Sequence, residues 1–250
     1  MELKLISFNI RCCDDKDGNS ICERAPRLAE ITGRYDADII GFQEFTVPWE
    51  KEIEKYYLDK YEMFNLYRSK SELEGAPILW KKGKFELLDK GNFWLSDTPE
   101  VESRGWDELY NCWRMCEYVI LKHIESGKVF TYMNTHYGFG DNGQVSSSKL
   151  IYEYSKKISS NPTFITGDFN MRPTSKGYAE MVKHFTDVNG ATVNDRRTTY
   201  HGYGKTDNEH IDYCFIDDKI KPVSLKIIDE LVDGKYPTDH YGLFVRLEIK

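Results

Sequence analysis

Six times along this chain, a strand-forming segment runs into a carboxylate, an amide or an imidazole. The segments are Ser7-Phe8-Asn9, Gln43-Glu44 after Ile39-Ile40-Gly41-Phe42, Asn134-Thr135-His136, Gly167-Asp168-Phe169-Asn170, His210-Ile211-Asp212-Tyr213 and Thr238-Asp239-His240. A core would not choose such residues, because a polar or charged group buried without partners costs free energy. Side chains alternate across a strand, so Asp168 and Asn170 share one face while Phe169 takes the other. Where such strands are sheet neighbours their ends converge, and ligand sites of α/β folds collect at strand termini for this reason. The chain is therefore constrained to a fold that gathers its strand ends at one side.

Strand-like and helix-like segments alternate to the end, without internal repeats or low-complexity linkers. Apolar runs predict strands at 3–10, 38–42, 61–67, 77–80, 85–88, 114–123, 129–137, 163–169, 211–216, 223–228 and 242–249. Helical patterns fall at 23–35, 49–58, 144–159 and 178–184. The run of strands in the middle suits antiparallel pairing, and helices near both ends suit covering the outer faces. The expected class is α/β, with two packed sheets and helices outside.

At 250 residues about three quarters of the extended-chain surface can be buried, enough for a core without staples. A single domain over residues 1–250 is expected. The 40% hydrophobic and 30% charged content excludes a disordered chain. No uncharged apolar run approaches the roughly 20 residues of a membrane-spanning helix, so no membrane partner is expected. A net charge of -7 disfavours long duplex nucleic acid, which repels an acidic protein lacking a basic patch. It also fits carboxylates gathered around a divalent metal. Cys12, Cys13, Cys22, Cys112, Cys116 and Cys214 form no CxxC pair and read as scattered thiols in a reducing compartment. With a strand-like run directly after Met1-Glu2, a cytoplasmic location is expected.

The polar strand ends suit phosphoester hydrolysis assisted by a hard cation. Mg²⁺ prefers oxygen ligands, keeps several waters, and takes one or two carboxylates plus phosphate oxygens. Glu44 fits a ligand, with Asp239 and the amide of Asn9 beside it. Asp168 and Asn170 fit the positioning and deprotonation of an attacking water. His240, held by Asp212, fits a donor to a non-bridging oxygen. His136 fits the same role or protonation of the leaving oxygen.

Taken in order, Ser-Phe-Asn, Gln-Glu, Asn-Thr-His, Gly-Asp-Phe-Asn, Ile-Asp-Tyr and Asp-His resemble the endonuclease/exonuclease/phosphatase (DNase I-like) superfamily across nearly the whole chain. Each motif alone is weak; six in order are specific. The resemblance implies a four-layer α/β/β/α sandwich of two mixed sheets flanked by helices, and a Mg²⁺ or Mn²⁺ site at Glu44. It implies that Asn9 lies at the metal with Asp239 beside it, that Asp168 and Asn170 lie at the nucleophile, and that Asp212 orients His240. The segment Phe93-Trp94-Leu95-Ser96-Asp97-Thr98-Pro99, with Trp106, is similar to a bacterial subgroup akin to the carbon catabolite repression deadenylases and nocturnin. That likeness makes Arg114, in Arg114-Met115-Cys116, a phosphate-gripping residue through its planar fork. It also makes Glu74 a support for His136. Glu117 and Tyr118 depart from the pattern, which has Thr and Trp there.

Other features leave alternatives open. His201 opens the loop His201-Gly202-Tyr203-Gly204-Lys205-Thr206, which would rim the site and bring His201 to substrate. Gly204-Lys205-Thr206 is no phosphate loop, because position 199 is Thr where that motif needs Gly. Trp94, Trp106 and Trp113 fit either stacking platforms or core. The segment 137–143 fits a lid. His123 and His184 read as structural. The leading function is hydrolysis of a small phosphorylated metabolite, as a sugar or nucleotide phosphatase or phosphodiesterase. A 3'-5' exonuclease on short single-stranded RNA is the alternative, although adjacent basic pairs occur only at Lys81-Lys82, Lys156-Lys157 and Arg196-Arg197. A non-catalytic binding module would be expected to have damaged motifs, and all six are intact.

Overall fold

In the computed structural model, which describes residues 1–207 and 209–250, the chain runs as follows. The first half comprises β1 (Glu2–Asn9), α1 (Ile21–Gly33), β2 (Ile39–Gln43), β3 (Phe45–Thr46), α2 (Val47–Tyr56), β4 (Tyr61–Phe64), β5 (Glu74–Gly75), β6 (Ile78–Lys81) and β7 (Phe85–Trp94). The second comprises β8 (Met115–His123), β9 (Val129–His136), α3 (Asp141–Ile158), β10 (Thr163–Asp168), α4 (Lys176–Met181), β11 (Thr186–Asp187), α5 (Val188–Thr192), β12 (Asp212–Ile216), β13 (Ile220–Ile228) and β14 (Gly242–Ile249).

Two six-stranded mixed sheets result, ordered β13-β14-β1-β2-β6-β4 and β11-β12-β10-β9-β8-β7, with β3 and β5 forming a small ribbon. Each large sheet holds one parallel pair near its centre, β1 with β2 and β9 with β10; the other pairings are antiparallel. Central strands are covered on both faces, and all five residues of β2 are accordingly buried.

Three apolar clusters separate four layers. Between the sheets lie Leu3, Leu5, Ile39, Trp80, Leu121, Phe130, Phe164, Val245 and Leu247. Outside the first sheet, Leu28, Ile31, Trp49 and Ile53 of α1 and α2 pack on Ile6, Phe8, Ile40 and Phe42. Outside the second, Ile151 of α3 and Met181 of α4 pack on Met133, Ile165 and Phe215. Burying one such side chain contributes about 1.5–3 kcal/mol, so each face is a substantial adhesive. The α/β/β/α sandwich expected from the sequence is the observed fold.

Near the strand ends the sheets are joined by polar contacts instead. Gln43 Nε2 donates to Asn134 Oδ1 at 2.8 Å, and Asn134 Nδ2 donates back to the carbonyl of Phe42 at 2.7 Å. Gly41 permits this approach, since a Cβ there would lie 2.0 Å from the Tyr132 hydroxyl.

Several boundaries differ from the sequence pattern. β7 runs on to Trp94 through a bulge after Leu87, because an edge strand paired only with β8 tolerates the exposed Asp89-Lys90 stretch. β4 stops at Phe64 rather than Tyr67. α3 begins at Asp141, where an acid favours the positive end of the helix dipole, so residues 141–143 of the segment 137–143 are helix. α5 is too short for a periodic signal and is marked by Asp187 Oδ1 accepting from the Asn189 N–H at 2.9 Å. Among the described residues, no helix is long and apolar enough to cross a membrane.

Candidate active site

Register brings the polar strand ends together. Asn9 pairs with Gln43 where β1 and β2 end, while Asp168 pairs with His136 on one side and Asp212 on the other. Two residues then leave their strands in the left-handed region, Glu44 at φ +61° and Asn170 at φ +48°. Such a conformation costs about 1–2 kcal/mol for a residue with a Cβ. Here it turns both side chains into the same cup.

Asn9 links the two sheets at the floor. Its Nδ2 donates to Glu44 Oε1 at 3.1 Å and to Asp168 Oδ2 at 2.9 Å. Asp168 Oδ1 also accepts from the Asn170 N–H at 2.9 Å. His136 Nε2 lies 3.1 Å from Asn170 Nδ2 and 3.6 Å from Asp168 Oδ2, with its Nδ1 3.7 Å from Glu74 Oε1. His240 Nδ1 meets Asp212 Oδ2 at 3.0 Å, leaving Nε2 3.8 Å from Asp168 Oδ2.

These neighbours divide the carboxylates. Burial alone would raise Glu44, but the fields of His136 and His240, the Cys12 N–H and the Asn9 amide hold its carboxyl at about 2. Asp168 moves the other way: burial and the adjacent Asp212 charge push it up, against the two histidines. Asp239 is also raised, chiefly by burial and in part by Glu44. His240 is disfavoured as a cation by burial, yet Asp212 and then Asp168 carry its pKa to about 10.

The donor set suits a hard divalent cation. Glu44 stays ionised, and Glu44, His136 and Asp168 offer ligand atoms within 4.8 Å of one another, as do Asp168, Asp212 and His240. Oxygen donors with an open front fit Mg²⁺ or Mn²⁺, which retain waters and accept phosphate oxygens.

The cup opens into a cleft of about 1200 Å³. Glu44, His136, Asp168, Asn170, Asp239 and His240 line it, while Asn9 and Asp212 lie beneath and act through the residues they bond. Arg114 and Glu74 form one wall. Arg114 pairs with Asp107 at 3.3 Å, and Glu74 accepts from Arg68 at 2.6 Å. Glu117 is not part of this wall. It is fully buried, accepts from the Ala76 N–H at 3.0 Å behind the wall, and is pushed up to about 8 by burial. Phe139 and Gly140, from the expected lid, line the cleft beside Tyr110; Phe139 O accepts from the Glu108 N–H at 2.9 Å.

His201 lies elsewhere than expected. Gly202, Tyr203, Lys205 and Thr206 of its loop line the cleft, but His201 is 1% exposed, its ring packed 4.2 Å from both Tyr236 and Tyr241. Burial lowers it to about 4. The loop's other residues line the cleft while its imidazole turns inward, so contact of His201 with substrate is not supported. Trp94, Trp106 and Trp113 are half-buried and outside the described lining; Trp94 Nε1 donates to the Arg68 carbonyl at 2.7 Å.

Residues 6–240 match the endonuclease/exonuclease/phosphatase family. The chain belongs to that family. Members are phosphoester hydrolases and are generally dependent on a divalent metal. An endonuclease/exonuclease/phosphatase family protein from Bacteroides thetaiotaomicron superposes with a TM-score of 0.92 at 25% identity, covering 100% of this chain and 98% of that one. A mannosyl-6-phosphatase from the same species gives 0.89 at 25%, covering 99% and 100%. The human nocturnin catalytic domain gives 0.78 at 15%, covering 100% and 95%, a likeness of fold alone. The uncharacterized protein R895 of Acanthamoeba polyphaga mimivirus is 26% identical over 216 residues, 72% of this chain. This chain spans only 31% of that viral relative's length.

Within this endonuclease/exonuclease/phosphatase fold, sequence reasoning passed over Arg11, Arg68 and Asp107. Arg11 stands two residues beyond Asn9, but past the end of β1 and in the left-handed region, so strand alternation does not point to it. No strand-end motif marks Arg68 or Asp107, which pair within a few residues, Arg68 with Glu72 and Glu74 and Asp107 with Arg114, and whose importance comes from the cleft wall that Arg68, Glu74 and Arg114 line.

Proposed function

We propose that this chain is a Mg²⁺- or Mn²⁺-dependent hydrolase of phosphoester bonds on a small phosphorylated metabolite, a sugar or nucleotide phosphate, acting as one domain. The observation that carries it is the shared cup, in which Glu44 and Asp168 accept from the same Asn9 amide and face His136 and His240.

Glu44 and Asp239, with Asn9 behind them, would hold the ion. A bound divalent cation neutralises charge developing at the phosphoryl group. Asp168, raised above the ordinary carboxylate range, accepts the proton of the attacking water as a general base. Asn170, anchored by its Nδ2 donating to the Tyr137 carbonyl at 2.9 Å, fixes the direction of attack. His240, cationic at neutral pH beside Asp212, donates to a non-bridging phosphate oxygen. His136 donates to a phosphate or leaving-group oxygen, with Glu74 behind it.

Cleft electrostatics support a small substrate over a polynucleotide. Arg11, Arg68, Arg114 and Arg172 each pair with carboxylates, respectively Asp15, Glu72 with Glu74, Asp107, and Glu209. Among the described residues of the lining, only Lys205 lacks such a pair, so a continuous basic track is missing. The mannosyl-6-phosphatase likeness points the same way. The test sets a panel of sugar and nucleotide phosphates against 3'-labelled oligoribonucleotides, each with Mg²⁺. Inorganic phosphate from the small esters is expected. Release of the labelled 3' nucleotide from RNA, with inert sugar and nucleotide phosphates, would establish the exonuclease instead.

A further inference from the structure

Arg11 is placed with unusual care. Its backbone is left-handed, at φ +62°, and is held on three sides. The N–H donates to Asn9 Oδ1 at 3.0 Å, while the carbonyl accepts from Trp49 Nε1 at 2.9 Å and Arg24 Nη2 at 2.8 Å. The side chain is equally constrained. Arg11 Nε and Nη2 grip Asp15 at 3.0 and 3.4 Å, and Asp15 is fixed in turn by the Tyr203 hydroxyl at 3.1 Å.

So anchored, the guanidinium reaches the two carboxylates assigned to the metal. Nη1 lies 3.9 Å from Glu44 Oε2, and Nε lies 3.8 Å from Asp239 Oδ2. These are charge contacts rather than hydrogen bonds, so the oxygens keep lone pairs for another cation. Arg11 remains positive at any pH the fold survives. A strained, anchored cation beside two ligand carboxylates does what an additional metal ion would do, namely offset their mutual repulsion.

We propose that Arg11 is a built-in cation of this cup, holding the flank of Glu44 and Asp239 that a second divalent ion would need, so that the site takes one ion per chain. The proposal rests on the metal-dependent reading above. It also makes Arg11 a positioning residue for the carboxylates.

Calorimetric titration of the metal-free full chain with Mn²⁺ tests it, alongside Arg11→Lys and Arg11→Gln; the Gln variant keeps a planar polar head without the charge. Wild type and Arg11→Lys are expected to bind one Mn²⁺ per chain, and Arg11→Gln two, with the altered Mn²⁺ electron paramagnetic resonance spectrum of a coupled pair. Two ions in wild type would overturn the proposal, as would one ion in a folded Arg11→Gln. Should Arg11→Gln not fold, Arg11→Met replaces it and is read in the same way. Absence of Mn²⁺ binding at the cup in wild type would instead overturn the metal-dependent reading itself.

Discussion

The two sheets are built alike and end differently. Each has a parallel pair near its centre, and beyond that pair each turns site residues through the left-handed region, Arg11 and Glu44 in the first and Asn170 in the second. Asn9 donates to a carboxylate from each, Glu44 and Asp168. Yet Glu44 is held at about 2 while Asp168 is pushed up. The backbone device is common to both; what differs is company. Both feel the fields of His136 and His240, but Glu44 also meets the Cys12 N–H, whereas Asp168 sits deeper, beside the Asp212 charge. Environments that drive like groups apart mark the division between a ligand that stays ionised and a base that exchanges protons.

Four substitutions break or sharpen this contrast. The largest effect is expected at Asp168. Asp168→Asn should lower kcat by about 10³-fold, the scale of losing a general base, while the melting temperature holds or rises because repulsion with Asp212 is relieved. Near-wild-type turnover in the folded variant would remove Asp168 from the mechanism. Next comes Glu44→Gln, which should weaken Mg²⁺ activation by about 100-fold while leaving the pH profile of metal-saturated enzyme in place. An unchanged metal titration would exclude Glu44 as ligand.

Asp212→Asn should act through pH. In wild type the His240 cation persists until pH rises through about 10, so the basic limb of kcat/KM lies there. Without Asp212 the limb should fall toward the ordinary imidazole value near 6.5, with a loss of roughly tenfold or more at pH 8 and little at pH 6. Stability should follow with the same sign. A raised folded-state pKa contributes fully below about 6.5 and is lost toward 10, so wild type should weaken over that window more than the variant does. Arg114→Lys should have the smallest effect. It keeps a charge for Asp107 and loses the planar fork, so KM for a phosphoester should rise a few-fold, under about tenfold, with kcat kept.

The sequence exposed what is local. Short motifs carry Glu44, Asp168, Asp212 and His240 to strand ends that the structure joins, and Asn170 shares the cup as expected, although it reaches it by a left-handed turn past β10 rather than by strand alternation. It could not expose what depends on distant contacts. Arg11 owes its place to Asp15 and to Asp239, far along the chain, and His201 is enclosed by Tyr236 and Tyr241 rather than by its own glycines. Edge strand β7 reads short because its exposed half has no apolar alternation, and α5 gives no signal because five residues show no period.

The clasp of Gln43 on Asn134, made possible where Gly41 has no side chain, has a consequence for how such a scaffold diversifies. It locks the relative slide of the two halves from inside the sandwich, a step behind the reacting groups. Spacing in the cup is thereby insulated from the surface loops. The exposed rim at 108–111 can be exchanged or lengthened to suit new molecules, and the hydrolytic apparatus beneath it keeps its dimensions.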